Sequence, residues 1–97
     1  KIIFLHHPLF LENAGESDNY FVIPSPRRQQ IISLIDENNV SAVFSGHLHK
    51  NNYQSLNGVE YISTGPVGYP LGKDPSGIRI VNLDSTGLNH QYLSLEL

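Results

Sequence analysis

The sequence predicts an α/β (α+β) domain built from one βαβ unit followed by an antiparallel meander. Two short apolar runs, a proline-led helical stretch between them and two downstream hairpin signals carry that expectation. Ile2–Leu5 is a continuous apolar run of β-formers, the pattern of a strand covered on both faces. Residues 12–19 have no periodicity and read as an exposed loop. Ser25-Pro26 offers a serine N-cap and a proline at the first helical position, and Ile31, Ile32, Leu34 and Ile35 make one apolar face. A helix is therefore expected over residues 26–38. Residues 40–45 read as a second buried strand. After Lys50 the texture changes: residues 53–56 and Val59–Ser63 flank Asn57-Gly58, a hairpin signal because both turn residues tolerate positive φ. A Gly/Pro-rich loop over residues 64–76 leads to a second hairpin, residues 78–83 and 88–95, around residues 84–87. No repeat or linker divides the chain.

Composition narrows the function classes. At 97 residues the chain suits one small domain, which buries only roughly 60–65% of its unfolded surface. With no cysteine there is neither a disulfide framework nor a thiolate metal site. Stability must then come from the core, a His/carboxylate metal site or further polypeptide. A net charge of −3 with 15% charged residues gives no basic stripe for nucleic acid and no polybasic membrane anchor. The opening apolar run is too short for a signal-peptide core or a spanning helix. The expected partner is a small molecule or a protein, with no nucleic acid and no membrane, and the expected location is cytoplasmic. A strand that starts directly after Lys1, in a chain without methionine, suggests a piece of a longer polypeptide.

Three of the five histidines stand where the two buried strands end: His6 after the first, His47 and His49 after the second. In a right-handed βαβ unit the strands are parallel, so their C-terminal ends share the sheet edge where ligands of α/β sheets bind. Neighbouring strands lie about 4.8 Å apart, within the span of two imidazoles sharing a metal at roughly 2.1 Å per bond. Residues i and i+2 of an extended segment face one side about 6.6 Å apart, which suits two ions about 3.5–4 Å apart. His6, His47 and His49 are thus the candidate metal ligands. His7 is expected to face away from His6, as neighbours on an extended chain do. His90 reads as an ordinary cross-strand residue.

The motifs Leu5-His6-His7-Pro8 and Ser45-Gly46-His47-Leu48-His49 resemble the last two motifs of the calcineurin-like metallophosphoesterases, a histidine two before proline and a Gly-His-x-His. The flanks are most similar to a serine/threonine protein phosphatase branch of that family, related to the purple acid phosphatases. The similarity runs through Pro8-Leu9-Phe10-Leu11, Val43-Phe44-Ser45-Gly46-His47, the stretch from Leu71-Gly72-Lys73-Asp74 to Arg79, and Tyr92-Leu93-Ser94-Leu95. The resemblance implies the C-terminal half of a four-layer β-sandwich flanked by helices, with residues 1–97 as the C-terminal part of a single phosphoesterase domain. It implies a dinuclear centre of Mn, Fe or Zn, with His6 and His47 on one ion and His49 on the other. It also implies metal-dependent hydrolysis of phosphate monoesters, on a phosphorylated protein or a small phosphate ester.

The family's earlier motifs, Asp-x-His, Gly-Asp-x-x-Asp and Gly-Asn-His-Asp/Glu, are absent from these residues. They carry the bridging aspartate, the remaining ligands and the histidine that protonates the leaving group. Asp18, Asp36, Asp74 and Asp84 read as solvated or structural. No catalytic acid is assigned here, and these residues alone are expected to be inactive. Tyr20, in the loop after the first strand, and Asp74, in the Gly-rich loop, are the candidate substrate contacts. A phosphodiesterase or nucleotide-directed member of the same family, or a non-catalytic metal-binding module, are the alternatives.

Overall fold

The computed structural model describes residues 1–95. Strands β1 (Ile2–Leu5), β2 (Ala42–Ser45), β3 (Asn52–Leu56) and β4 (Val59–Ser63) form one sheet in the order β1-β2-β4-β3, and β5 (Gly77–Asp84) pairs with β6 (Gly87–Ser94) in a second. The single helix among the described residues, α1 (Arg27–Glu37), connects β1 to β2. The two strands are parallel, with Ile2 opposite Ala42 and Leu5 opposite Ser45. The α/β class and the βαβ unit are therefore as the apolar runs predict. The two downstream hairpins part company: β4 adds to β2 in parallel, from Ala42 opposite Glu60 to Ser45 opposite Ser63, while β5 and β6 form the second sheet. A hairpin turn fixes only the local β3–β4 pairing. The buried second strand of that hairpin, with Val59, Tyr61, Ile62 and Ser63, then finds its other partner in the equally buried β2.

Alternation divides the sheet between two apolar layers. Ile3, Leu5, Val43, Val59 and Tyr61 meet Ile32 and Ile35 of α1 and the loop residues Leu9 and Phe10 on one face. Ala42, Phe44 and Ile62 meet Val81 and Leu88 of the second hairpin on the other. Helix, sheet and second sheet thus stack in that order, as part of a sandwich. The first turn of the helix differs from expectation. Pro26 occupies the N-cap position with no side-chain cap, and the Arg28 N–H donates instead to the Pro24 carbonyl at 3.0 Å. Ser25 lies one residue outside, its N–H held by Asp18 Oδ1 at 3.0 Å. Leu34, expected on the apolar face, is 59% exposed. It lines an open groove of about 560 Å³ beside Ile2, Ile3 and Ile31.

Both turns form where the sequence places them. Asn57 and Gly58 have φ of 52° and 78°, the paired positive values of a two-residue turn whose twist matches its strands. Gly77 has a different reason to be glycine: a Cβ there would lie 2.5 Å from the Leu93 carbonyl oxygen and 2.5 Å from the Tyr92 ring. Overpacking of this kind typically costs about 1–3 kcal/mol. Gly77→Ala is expected to lower stability in urea denaturation by that amount. Gly68→Ala, where a Cβ meets nothing within 4 Å, should stay within about 0.5 kcal/mol of the parent. Equal losses would contradict this seating of the second hairpin.

Candidate metal centre

The histidine edge is built by extending the parallel ladder past the strand ends. Gly46 N–H donates to the His6 carbonyl at 3.0 Å and Thr64 N–H to the Ser45 carbonyl at 2.8 Å. The Ser45 and Ser63 hydroxyls, buried beneath, share a hydrogen bond of 3.0 Å. These bonds fix where the chain leaves each strand. They bring His6, His7 and His47 together, each offering a ring nitrogen within 4.8 Å of the others. Ring centroids lie 4.9 Å apart for His6 and His7, 5.1 Å for His6 and His47, and 4.0 Å for His7 and His47.

Two premises of the sequence reading do not hold. The Gly-His-x-His segment is not extended: His47 and His49 have φ of 64° and 61°, both left-handed. The i, i+2 rule therefore does not govern their directions, and His49 lies outside the three-histidine group. Nor does strand alternation reach His7, because β1 ends at Leu5 and the chain bends at once. His7 consequently turns toward His47 instead of away. Sequence carried one usable signal for this, since Pro8 follows directly and restricts the backbone of His7.

Hydrogen bonds assign the tautomers of the motif histidines. A carbonyl oxygen can only accept, so His47 Nε2 carries the proton that it donates to the Tyr20 carbonyl at 3.2 Å. His49 Nδ1 likewise donates to the Tyr69 carbonyl at 2.8 Å. Metal-binding histidines characteristically use one ring N–H in this way, which fixes the ring and leaves the other nitrogen as a lone pair. His47 thus presents Nδ1 and His49 presents Nε2.

The residues fit a metal ion in chemistry and nearly in spacing. Two nitrogens on one tetrahedral ion at about 2.1 Å lie about 3.4 Å apart, so nitrogens within 4.8 Å of one another must draw together to share an ion. His6 and His7 are exposed and His47 is half-buried, so small ring rotations meet little resistance. Three neutral imidazoles supply no negative charge, which leaves a second dication without compensation from this group.

Tyr20 is brought to the centre, with its ring 4.9 Å from that of His47 and 77% exposed. Phe21 follows, 6.0 Å from the same imidazole. Asp74 instead accepts from Asn51 Nδ2 at 3.0 Å. Asn51 also receives the Gly65 N–H at 2.9 Å and Arg79 Nη2 at 2.6 Å. This network ties the loop of residues 64–76 to the start of β3, so Asp74 braces the loop that carries Tyr69. Asp18, Asp36 and Asp84 are partnered by Arg28, Asn57 and Thr86. His90 accepts from Arg79 Nη1 at 2.9 Å, away from the cluster. Tyr69 was not legible from sequence, because its contribution is a backbone carbonyl.

Crowding at the centre is measurable. Desolvation, followed by the neighbouring charges of His47 and His6, holds the His7 imidazole below its ordinary value of 6.5. In the metal-free protein, His7 is expected to titrate below 6.5 by NMR and to move up when His47 is replaced by glutamine. The unfolded chain binds the His7 proton more tightly than the folded one, so this group's contribution opposes folding in acid. That penalty fades as pH rises toward 6.5. Titration of His7 at or above 6.5 would contradict the ring placement.

No family model and no solved structure matches the chain. Curated relatives that carry the name serine/threonine-protein phosphatase CPPED1 include proteins of three vertebrates. The cattle (Bos taurus) protein is 35% identical over 95 residues, the zebrafish (Danio rerio) protein 36% over 95, and the human (Homo sapiens) protein 34% over 96. Each alignment covers 98% of this chain, and 30%, 31% and 31% of those proteins respectively. Similarity at this level, together with the two histidine motifs, makes the chain a relative of the calcineurin-like phosphoesterases named CPPED1, and it spans about 30% of the length of the curated relatives it matches.

Proposed function

We propose that the protein containing this chain is a metal-dependent phosphatase, and that residues 1–97 are the C-terminal part of its single catalytic domain. The observation that carries this reading is the gathering of His6, His7 and His47 at the parallel strand ends, in the two motifs shared with the calcineurin-like family. His6 and His47 hold one ion in this proposal. His49, oriented by Tyr69 and outside that three-histidine group, holds a second together with ligands that residues 1–97 do not supply. Bound cations of this kind lower the pKa of a water, bind phosphoryl oxygens and stabilise charge developing at phosphorus. Manganese, iron and zinc all suit imidazole.

The chain's own residues orient and shape. The Tyr20 and Tyr69 carbonyls hold the ring planes of His47 and His49. The exposed rings of Tyr20 and Tyr69 stand at the sides of the centre, where they can contact a substrate larger than phosphate. The names of the relatives support a serine/threonine phosphoprotein as that substrate. His7 is a third imidazole available to the phosphate or to the ion.

Chelator treatment of the full-length protein is expected to abolish hydrolysis of an aryl phosphate, and added manganese, zinc or iron to restore it. His47→Ala and His49→Ala should each lower kcat/KM at least about 100-fold, since even the outer partners of metal ligands are worth roughly 10–100-fold. Near-normal turnover of metal-replete His49→Ala would remove it from the centre. Turnover of phosphopeptide, nucleotide monoester and cyclic nucleotide substrates separates a protein phosphatase from a nucleotide-directed enzyme.

A further inference from the structure

We infer that Arg28 is a positioning residue of the histidine centre: its buried guanidinium fixes the loop whose Tyr20 carbonyl orients His47. The inference rests on the reading of His47 as a metal ligand and deepens it.

Arg28 lies on the buried stripe of α1, at the i, i+4, i+7 spacing with Ile32 and Ile35, and none of its surface is exposed. An apolar residue would serve the helix and the core there. The guanidinium instead spends its donors on one loop. Nε donates to the Ile23 carbonyl at 2.9 Å, Nη1 to the carbonyls of Ala14 at 3.1 Å and Glu16 at 2.7 Å, and Nη2 to Asp18 Oδ1 at 3.2 Å. All four acceptors fall between residues 14 and 23, and none belongs to the sheet. A buried cation is costly unless it is paired and hydrogen-bonded. Here the partners are three backbone carbonyls and one carboxylate of a single segment, and Gln29 Nε2 adds a second bond to the Ala14 carbonyl at 2.8 Å.

The same loop is closed at both ends. Glu16 accepts the N–H groups of Leu11, Glu12 and Asn13 at 3.0, 2.8 and 3.0 Å, and Ile23 N–H returns to the Pro8 carbonyl at 2.9 Å. Partial burial raises the Glu16 carboxyl, but those three donors and the Arg28 charge outweigh it and hold the group below its ordinary value of 4.5. Between the pinned residues 18 and 23, Val22 is buried and Asn19 Oδ1 accepts the Phe21 N–H at 2.8 Å. Tyr20 is thereby left with its carbonyl toward His47 and its ring in solvent. A run of polar residues without periodicity is thus held as one rigid arm, and the arm ends on a motif histidine.

The test uses the full-length protein with Arg28→Met, Arg28→Lys and Asp18→Asn. In the metal-free protein, nitrogen-15 spectra of the His47 ring are expected to show the Nε2–H tautomer with a slowly exchanging proton. Arg28→Met should lose both features. Arg28→Lys, which keeps the charge but not the fork of donors, should retain part of them. Asp18→Asn should shift them slightly in the same direction. Manganese affinity by calorimetry is expected to fall roughly 10-fold in Arg28→Met, the lower end of the range for partners that orient metal ligands. A folded Arg28→Met protein with unchanged His47 tautomer and manganese affinity would overturn the inference. Should that variant not fold, an unaltered His47 signal in both Arg28→Lys and Asp18→Asn would overturn it equally. Absence of metal binding in the parent protein would instead refute the metal centre, while the tautomer spectra still decide the role of Arg28.

Discussion

The parallel register of β1 against β2 is the constraint on which the rest depends. Leu5 opposite Ser45 sets both strand ends at one height, and the bond from Gly46 N–H to the His6 carbonyl carries the pairing one step further. His6 and His47, 41 positions apart, are thereby fixed as neighbours before any ligand is considered. The buried faces enforce that register, since a shift by one residue would turn Val43 from the helix side and Phe44 from the hairpin side. Parallel pairing also requires the crossover that α1 supplies. The helix is therefore part of the reason the histidines meet.

What the sheet edge does not fix, two loops do. Each histidine of the Gly-His-x-His motif donates one ring proton to the carbonyl of an exposed tyrosine, His47 to Tyr20 and His49 to Tyr69. Each tyrosine sits on a loop braced by an arginine. Arg28 braces the first directly. Arg79 braces the second through Thr64 Oγ1 at 3.0 Å and Asn51, with its guanidinium 5.4 Å from the centre of the Tyr92 ring. Tyr92 in turn donates to the Pro75 carbonyl at 2.7 Å and packs where Gly65 and Gly77 leave room. Catalytic geometry in metal sites is set as much by such outer bonds as by the ligands. Here they come from loops that local pattern marks only as polar or Gly/Pro-rich.

The division between what was legible and what was not follows the range of each interaction. Apolar runs, Asn57-Gly58 and the histidines beside them are local signals, and the strands, turns and strand-end placement of His6 and His47 follow from them. The addition of β4 to β2 is a non-local choice that no hairpin pattern encodes. The directions of His7 and His49 depended on where strand geometry stops. Alternation extrapolated past Leu5 and Ser45 fails because the chain bends at once and His47 and His49 turn left-handed. Arg28 could have been noticed, since it falls on the apolar stripe of the helix, but its partners are backbone carbonyls with no residue signature.

Anomalous X-ray diffraction from the full-length protein loaded with manganese or zinc tests the central claim most directly. A metal peak bonded to His6 and His47 is predicted, with His47 binding through Nδ1 while Nε2 remains on the Tyr20 carbonyl, and a second peak on His49 Nε2. A loaded crystal with no anomalous peak on these imidazoles, or with its metal at other residues, would contradict the account.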